Sequence, residues 1–184
     1  MSPPRGKIRI IGGQWRSRLL TFPERPDLRP TANRIRETVF NWLGQDLSDL
    51  TCLDLFAGSG ALGFEAASRG AASVVMVDID ARNVQALREN KEKLQAGHVE
   101  LVTVDAFKFL NSDTRTFDVI FLDPPYRAEL TDQIMPLLPP HLKQNGLVYA
   151  EANRDWVMDQ QWRIFRSAKA GTVHYKLMEY VNHG

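Results

Sequence analysis

Four aspartates each stand where an apolar run ends: Asp54 closes TCLD, Asp78 closes SVVMVD, Asp105 follows VELVTV and Asp123 follows FDVIFL. Between the first two lies Gly58-x-Gly60-x-x-Gly63. Glycines at that spacing permit a tight turn and let a backbone approach a ligand closely, and a helix opening there would offer unpaired N–H groups. Asp78 follows Asp54 by 24 residues, near the spacing of about 20 expected for an acid on a ribose hydroxyl. A dinucleotide fits poorly, because Asp54, four residues before Gly58, would repel its pyrophosphate. A nucleoside with a cationic end fits better. S-adenosylmethionine offers an ammonium to the Asp54 region, a ribose to Asp78 and an adenine amino group to Asp105. The plain alternatives are a packing turn for the glycines and helix caps for the acids, Asp105 above all. We take Asp54, Phe56, Gly58, Gly60, Asp78, Asp105 and Ala106 as the cofactor-binding residues.

The fourth acid opens Asp123-Pro124-Pro125-Tyr126. Neither proline can donate to a β-ladder, so the strand must stop there. Asp-Pro-Pro is good turn chemistry in any protein, but an acid, two rigid residues and an aromatic at the mouth of a buried strand also form a placed set of groups.

The surrounding elements are those of an α/β fold. Strand-like runs alternate with helical ones: TCLDLF then GALGFEAASRG, SVVMVDI then ARNVQALRENKEKLQAG, VELVTV then AFKFLNSD, FDVIFLD then RAELTDQIMPLL, and GLVYAEA. The helices are predicted to end at Gly70 and Gly97. This alternation predicts a mostly parallel sheet covered on both faces, with ligands at the carboxyl ends of its strands. QWRIFRSAKAGTVHYKLMEYV reads as two strands joined near Ala170-Gly171, adding antiparallel pairing. At the other end KIRIIGGQWRSRLLTFP reads as a hairpin around Gly12-Gly13. A proline-punctuated linker and a helix from about Arg34 to Leu43 follow it, with Thr31 or Asn33 as its cap.

A length of 184 residues and an apolar fraction of 43% suit one globular domain. Cys52 is the single cysteine, in an apolar run, so it is expected to be a buried core residue. His98, His141, His174 and His183 lack ligand spacing, so no metal is expected. No apolar run of about 18 residues exists, and the N-terminus has no signal-peptide core; a cytoplasmic location is expected. The net charge of +1 hides an asymmetry. Residues 1–36 hold nine Lys/Arg against Glu24 and Asp27, whereas the remainder holds fourteen against twenty Asp/Glu. Such a basic arm is either a solvated tail or a polyanion contact.

DLFAGSG, VDID, VDAF and DPPY, in that order over residues 51–126, resemble the class I methyltransferases that act on exocyclic amino groups. The resemblance implies a Rossmann-like fold with a seven-stranded, mostly parallel sheet, an antiparallel C-terminal strand and here a small N-terminal β-hairpin. It implies S-adenosylmethionine as cofactor and Asp123, Pro124, Pro125 and Tyr126 as the catalytic tetrad. The chemistry is coherent. A nucleobase amine is a weak nucleophile because its lone pair is delocalised into the ring. Asp123 and the Pro124 carbonyl can each accept one N–H, pushing density back onto nitrogen, while Tyr126 offers a face for a flipped base. In-line placement of amine and methyl is then most of the catalysis.

With RIIGGQWRSRLL and LRPTANRIRETVFNWL in front, the whole chain resembles the RsmD family. That resemblance implies methylation of the N2 amine of one guanine in 16S ribosomal RNA, within the small subunit or a late assembly intermediate; because so large a substrate needs open access to the site, a monomer is expected. Residues 1–30 would be an RNA-binding hairpin and linker, and 31–184 the methyltransferase domain. Arg5, Lys7, Arg9, Arg16 and Arg18 are the expected phosphate contacts, with Trp15 as a stacking group or as ordinary packing. The family's Arg29-Pro30-Thr31 could close over the cofactor or cap the next helix. Asp78 replaces a frequent Glu and Tyr126 an occasional Phe; Arg127 could meet RNA. The tetrad by itself also admits a DNA or tRNA amino-methyltransferase. A fold kept only for RNA binding gives the paired acceptors no purpose, and a dehydrogenase gives none to the tetrad.

Overall fold

The computed structural model describes residues 4–26, 31–125 and 128–181. The chain opens with β1 (Arg5–Arg9) and β2 (Leu19–Pro23), an antiparallel pair with Arg5 opposite Pro23 and Arg9 opposite Leu19. Helix α1 (Asn33–Trp42) leads into the repeating part: β3 (Thr51–Asp54), α2 (Ala61–Ser68), β4 (Ser73–Asp78), α3 (Ala81–Leu94), β5 (Val99–Thr103), α4 (Ala106–Ser112), β6 (Phe117–Leu122) and α5 (Ala128–Ile134). Strands β7 (Leu142–Ala152), β8 (Trp162–Ala170) and β9 (Val173–Tyr180) complete it. The large sheet has seven strands in the order β5-β4-β3-β6-β7-β9-β8. All neighbours are parallel except those of β9, which runs antiparallel to β7 and β8. This is the expected class I methyltransferase architecture, hairpin included.

Side chains alternate across each strand, and the alternation divides the core in two. Cys52, Val74, Met76, Val119, Phe121, Tyr149 and Tyr175 face α1, α2 and the hairpin. Leu53, Val75, Val77, Ile120, Leu122, Val148 and Met178 face α4 and the segment after α5. Both faces are covered, which is why the parallel strands read as continuous apolar runs. Cys52 is buried, as expected.

The hairpin belongs to the first of these layers. Ile8, Ile10, Trp15, Leu20 and Phe22 all join its core, and burying an aliphatic or aromatic side chain of this size stabilises by about 1.5–3 kcal/mol. Asn90 on α3 pairs with Thr21 in both directions, at 3.3 Å and 2.8 Å. Gly13, at φ +78, lies so close to α2 that a Cβ would meet the Ser68 carbonyl oxygen at 2.0 Å. Residues 4–26 of the arm are therefore a fixed platform and not a solvated tail. Trp15 is buried with its ring 5.7 Å from that of His98, so it packs and offers no exposed face for stacking.

Three local expectations change. Neither Thr31 nor Asn33 caps α1: its N-cap is Ala32, with no side-chain bond, because both side chains are engaged elsewhere. Helix α3 stops before Gly97, with Gln95 taking the left-handed cap at φ 55. Arg36, counted in the basic arm, is fully buried against Glu65, and Arg25 pairs with Asp80, so the arm exposes less charge than its composition suggests. Arg29, Pro30, Tyr126 and Arg127 lie outside the described residues.

Candidate active site

The four acids meet at one edge of the sheet. Asp54 and Asp78 end β3 and β4, while Asp105 and Asp123 follow β5 and β6. These four strands are adjacent, and the strand order reverses between β3 and β6, the place where open α/β sheets bind ligands.

The glycine loop is built around two of the acids. Asp54 is buried, 1% exposed, and its Oδ2 accepts from Gly63 N at 2.9 Å. Asp78 accepts from Gly58 N and from Asp80 N, each at 2.8 Å. Gly60 starts α2 with φ +82, and a Cβ there would press on Phe64 at 2.6 Å and Leu87 at 2.7 Å. The loop is thus shaped by close packing, and its acids are held by its own amides. Burial pushes Asp54 up to about 7, with Asp123 and Asp78 adding like-charge repulsion. Burial also raises Asp78. Asp105 caps α4, its Oδ1 accepting from Phe107 N at 2.9 Å and Lys108 N at 3.2 Å. Phe56 packs against the second core layer and Ala106 is buried within it.

The other half of the crevice is organised by Asp123. Leu122 lies opposite Ala150 in the β6–β7 register, which sets Asp123 level with Glu151. The two carboxyl groups lie within hydrogen-bonding reach of each other. Thr31 donates from Oγ1 to Asp123 Oδ2 at 3.0 Å, and Tyr149 donates its hydroxyl to Glu151 Oε1. Burial raises Asp123, and it raises Glu151 strongly with repulsion from Asp123 behind it. Pro124 is half-buried and Pro125 exposed, so the segment after Asp123 opens to solvent.

Sequence reasoning passed over Glu151 and Glu65, and took Thr31 for a helix cap or a cofactor contact and not for a partner of Asp123. A signal existed for two of them: an acid inside a run otherwise expected to be buried, as in VYAEA and GFEAAS. Thr31 carried no such signal, because its partner lies 92 residues away. The expected phosphate contacts Arg5, Lys7, Arg9, Arg16 and Arg18 are all exposed. Three of them already have contacts: Arg5 with Glu89 at 2.9 Å, Arg9 with the Ser17 carbonyl at 2.8 Å and Arg18 with the Lys93 carbonyl at 3.2 Å. Among the described residues no cluster of His, Cys, Asp and Glu could hold a metal ion, and no helix is long and apolar enough to cross a membrane.

Comparison with known proteins agrees with this geometry. Residues 8–179 match the family described as Conserved hypothetical protein 95. Ribosomal RNA small subunit methyltransferase D of Escherichia coli K12 is 42% identical over 179 residues, 95% of this chain and 90% of that protein. Its namesake in Haemophilus influenzae is 37% identical, with 95% of each chain covered. The solved structure of yhhF from Escherichia coli superposes with a TM-score of 0.86 at 41% identity, covering 96% of this chain and 99% of that one. With the family match running through nearly the whole chain and the motifs at its strand ends, this protein belongs to the RsmD family of methyltransferases.

Proposed function

We propose that this chain transfers a methyl group from S-adenosylmethionine to the exocyclic N2 amine of a guanine in 16S ribosomal RNA of the small subunit. The observation that carries the reading is Asp123, set beside an acid-lined glycine loop at the switch point of the sheet. The relatives' names, which specify ribosomal RNA of the small subunit, support the substrate class.

The residues present fit the cofactor. The charges that bear on buried Asp54 are those of other carboxylates, a surplus that a cationic ligand would relieve. Asp54 and the Gly58–Gly60 turn would hold its amino-acid end, Asp78 its ribose and the Asp105–Ala106 corner its adenine. When bound, it supplies an electrophilic methyl on sulfur: the amine's lone pair forms the new N–C bond and the S–C pair stays on sulfur. The protein's own residues place the amine. A carboxylate has about four acceptor positions, and among the described residues Thr31 and Glu151 take two of Asp123's. A remaining position accepts the amine N–H, and the same carboxylate receives the proton once nitrogen has become cationic. The Pro124 carbonyl would take the second N–H, Pro125 would stiffen the turn and Tyr126 would stack the base. Residues 1–30 would act as an RNA-binding extension through Arg5, Lys7, Arg9, Arg16 and Arg18, and a ribosomal substrate would place the activity in the cytoplasm.

The test is label transfer from methyl-tritiated cofactor to small subunits from cells lacking the gene, with naked rRNA, tRNA and DNA in parallel. N2-methylguanosine recovered from the small-subunit digest is the expected result. Label confined to tRNA or DNA would overturn the substrate, and no label in any pool would overturn the activity.

A further inference from the structure

The mechanism above uses Asp123 and leaves its neighbour without a task. Glu151 is buried, 8% exposed, and Tyr149 beneath it is fully buried. Two carboxyl groups in contact without a cation between them are expensive to ionise together. Among the described residues, the groups facing the pair offer no cation: Asp54 from β3, Tyr149 within β7, Tyr175 from β9 and the Thr31 hydroxyl ahead of α1. Lys176, the next residue on β9, is held away by Asp155 at 2.7 Å and the Trp156 carbonyl at 2.9 Å.

Resting on the methyl-transfer reading, we propose that Glu151 is the positioning residue for Asp123, a protonated acid whose O–H holds the Asp123 carboxylate in the plane that meets the substrate amine. The hydrogen-bond order follows from donors and acceptors. The Tyr149 phenol, kept protonated by burial, donates to Glu151 Oε1. Glu151's other oxygen then carries the proton and donates it to Asp123. Thr31 donates to Asp123 from the opposite element. Asp123 is gripped from β7 and from the segment before α1, so its rotation is fixed without using up its acceptor capacity. A single proton on the pair keeps Asp123 ionised, as an acceptor must be. When the reaction delivers the amine's proton to Asp123, both acids become neutral, and the pair returns to its one-proton state by losing that proton to solvent as product leaves.

The test compares Glu151→Gln, Glu151→Ala and Tyr149→Phe on whichever amine acceptor pool the wild type labels. Gln keeps an N–H donor toward Asp123 but cannot ionise; Ala keeps neither. Glu151→Ala should lower kcat about 10–100-fold, the scale of a misplaced reacting group, with KM and cofactor binding little changed, and Glu151→Gln should restore most of it. In the wild type, kcat should fall at alkaline pH as the pair loses its last proton; in Glu151→Gln that limb should vanish. Tyr149→Phe should shift the limb without abolishing turnover. Equal losses for Gln and Ala in folded protein, or an alkaline limb that persists in Glu151→Gln, would overturn the proposal. Carboxyl carbon NMR of wild type, assigned with Glu151→Gln, needs no substrate. A protonated Glu151 at pH 7 is expected and an ionised one refutes the positioning role, whereas absence of label in every pool refutes the transfer reading instead.

Discussion

Two acid centres lie on the same side of the sheet, one at buried Glu65 and one where half-buried Asp123 meets buried Glu151, and their surroundings are opposite. Glu65 on α2 is fully enclosed by donors: Ile11 N at 3.0 Å, Gly12 N at 2.9 Å, Arg36 Nη1 at 3.3 Å and Arg69 Nε at 2.9 Å. Two guanidinium groups neutralise it and two amides fill its remaining capacity. Among the described residues, Asp123 and Glu151 have only hydroxyls and each other. A carboxylate with all its acceptor positions filled by fixed partners can only hold things in place. Glu65 joins the hairpin loop to α1 and α2. A carboxylate with open positions and no counter-ion is unfavourable in the resting fold and gains most when a donor or a cation arrives. Saturation thus separates a structural acid from a functional one.

The comparison breaks most visibly at Asp123. Asp123→Ala should reduce kcat for methyl transfer by about 10³-fold, the middle of the range for a positioned proton acceptor, while leaving the cofactor dissociation constant nearly unchanged. Turnover close to wild type would remove Asp123 from the reaction. Glu65→Ala should act the other way round. It leaves the Arg36 guanidinium, 0% exposed, without its carboxylate, and breaking a buried pair on one side costs about 3–5 kcal/mol. At about 2–4 °C per kcal/mol for a chain of this size, thermal unfolding should show a loss of about 10 °C, with kcat per folded molecule largely kept. A stable but inactive Glu65→Ala would place Glu65 in the functional class and dissolve the contrast.

How much of this was legible follows from where each signal resides. The sheet and its helices were readable because alternation and strand-end acids are local patterns. Asp54, Asp78, Asp105 and Asp123 announced themselves by position. Glu151 and Glu65 did not, since their meaning depends on what β6, the hairpin loop and α1 bring across the fold. Thr31 misled for the same reason: a Thr two residues before a helix reads as a cap until Asp123 is found beside it. Arg36 was counted as surface charge because composition does not register burial. Registers and long-range pairings decide these roles, and neither is written in any single stretch of sequence.

Asp54 sharpens the comparison on a pH axis. Its carboxyl sits near 7 in the fold against about 3.9 in an unfolded chain. A folded-state value above the unfolded one means the folded protein binds the proton more tightly. The contribution is fully present below pH 4 and is lost as pH rises through about 7. Thermal unfolding of the ligand-free protein should therefore show stability declining from about pH 4 to above pH 7, by about 1.4 kcal/mol per unit at most. Asp54→Asn should flatten that slope, and S-adenosylmethionine should raise the melting temperature more at pH 8 than at pH 5. A slope that survives in Asp54→Asn would assign the effect to the Asp123–Glu151 pair.

The smallest effect concerns what Glu65 is for. By accepting from Ile11 and Gly12 it fixes the loop that carries Arg16 and Arg18, both exposed. If that loop meets RNA phosphates, replacing both arginines with Ala should weaken binding to small subunits and reduce the slope of log K against log salt by about 1–2, since each phosphate contact contributes just under one. Cofactor binding and the melting temperature should hardly move, because Arg18's 3.2 Å contact with the Lys93 carbonyl is on the surface. An unchanged salt slope would mean that the Glu65 rivet supports the fold alone. A reduced slope would make the two acids partners at a distance, one fixing where the RNA is held and the other aiming the amine.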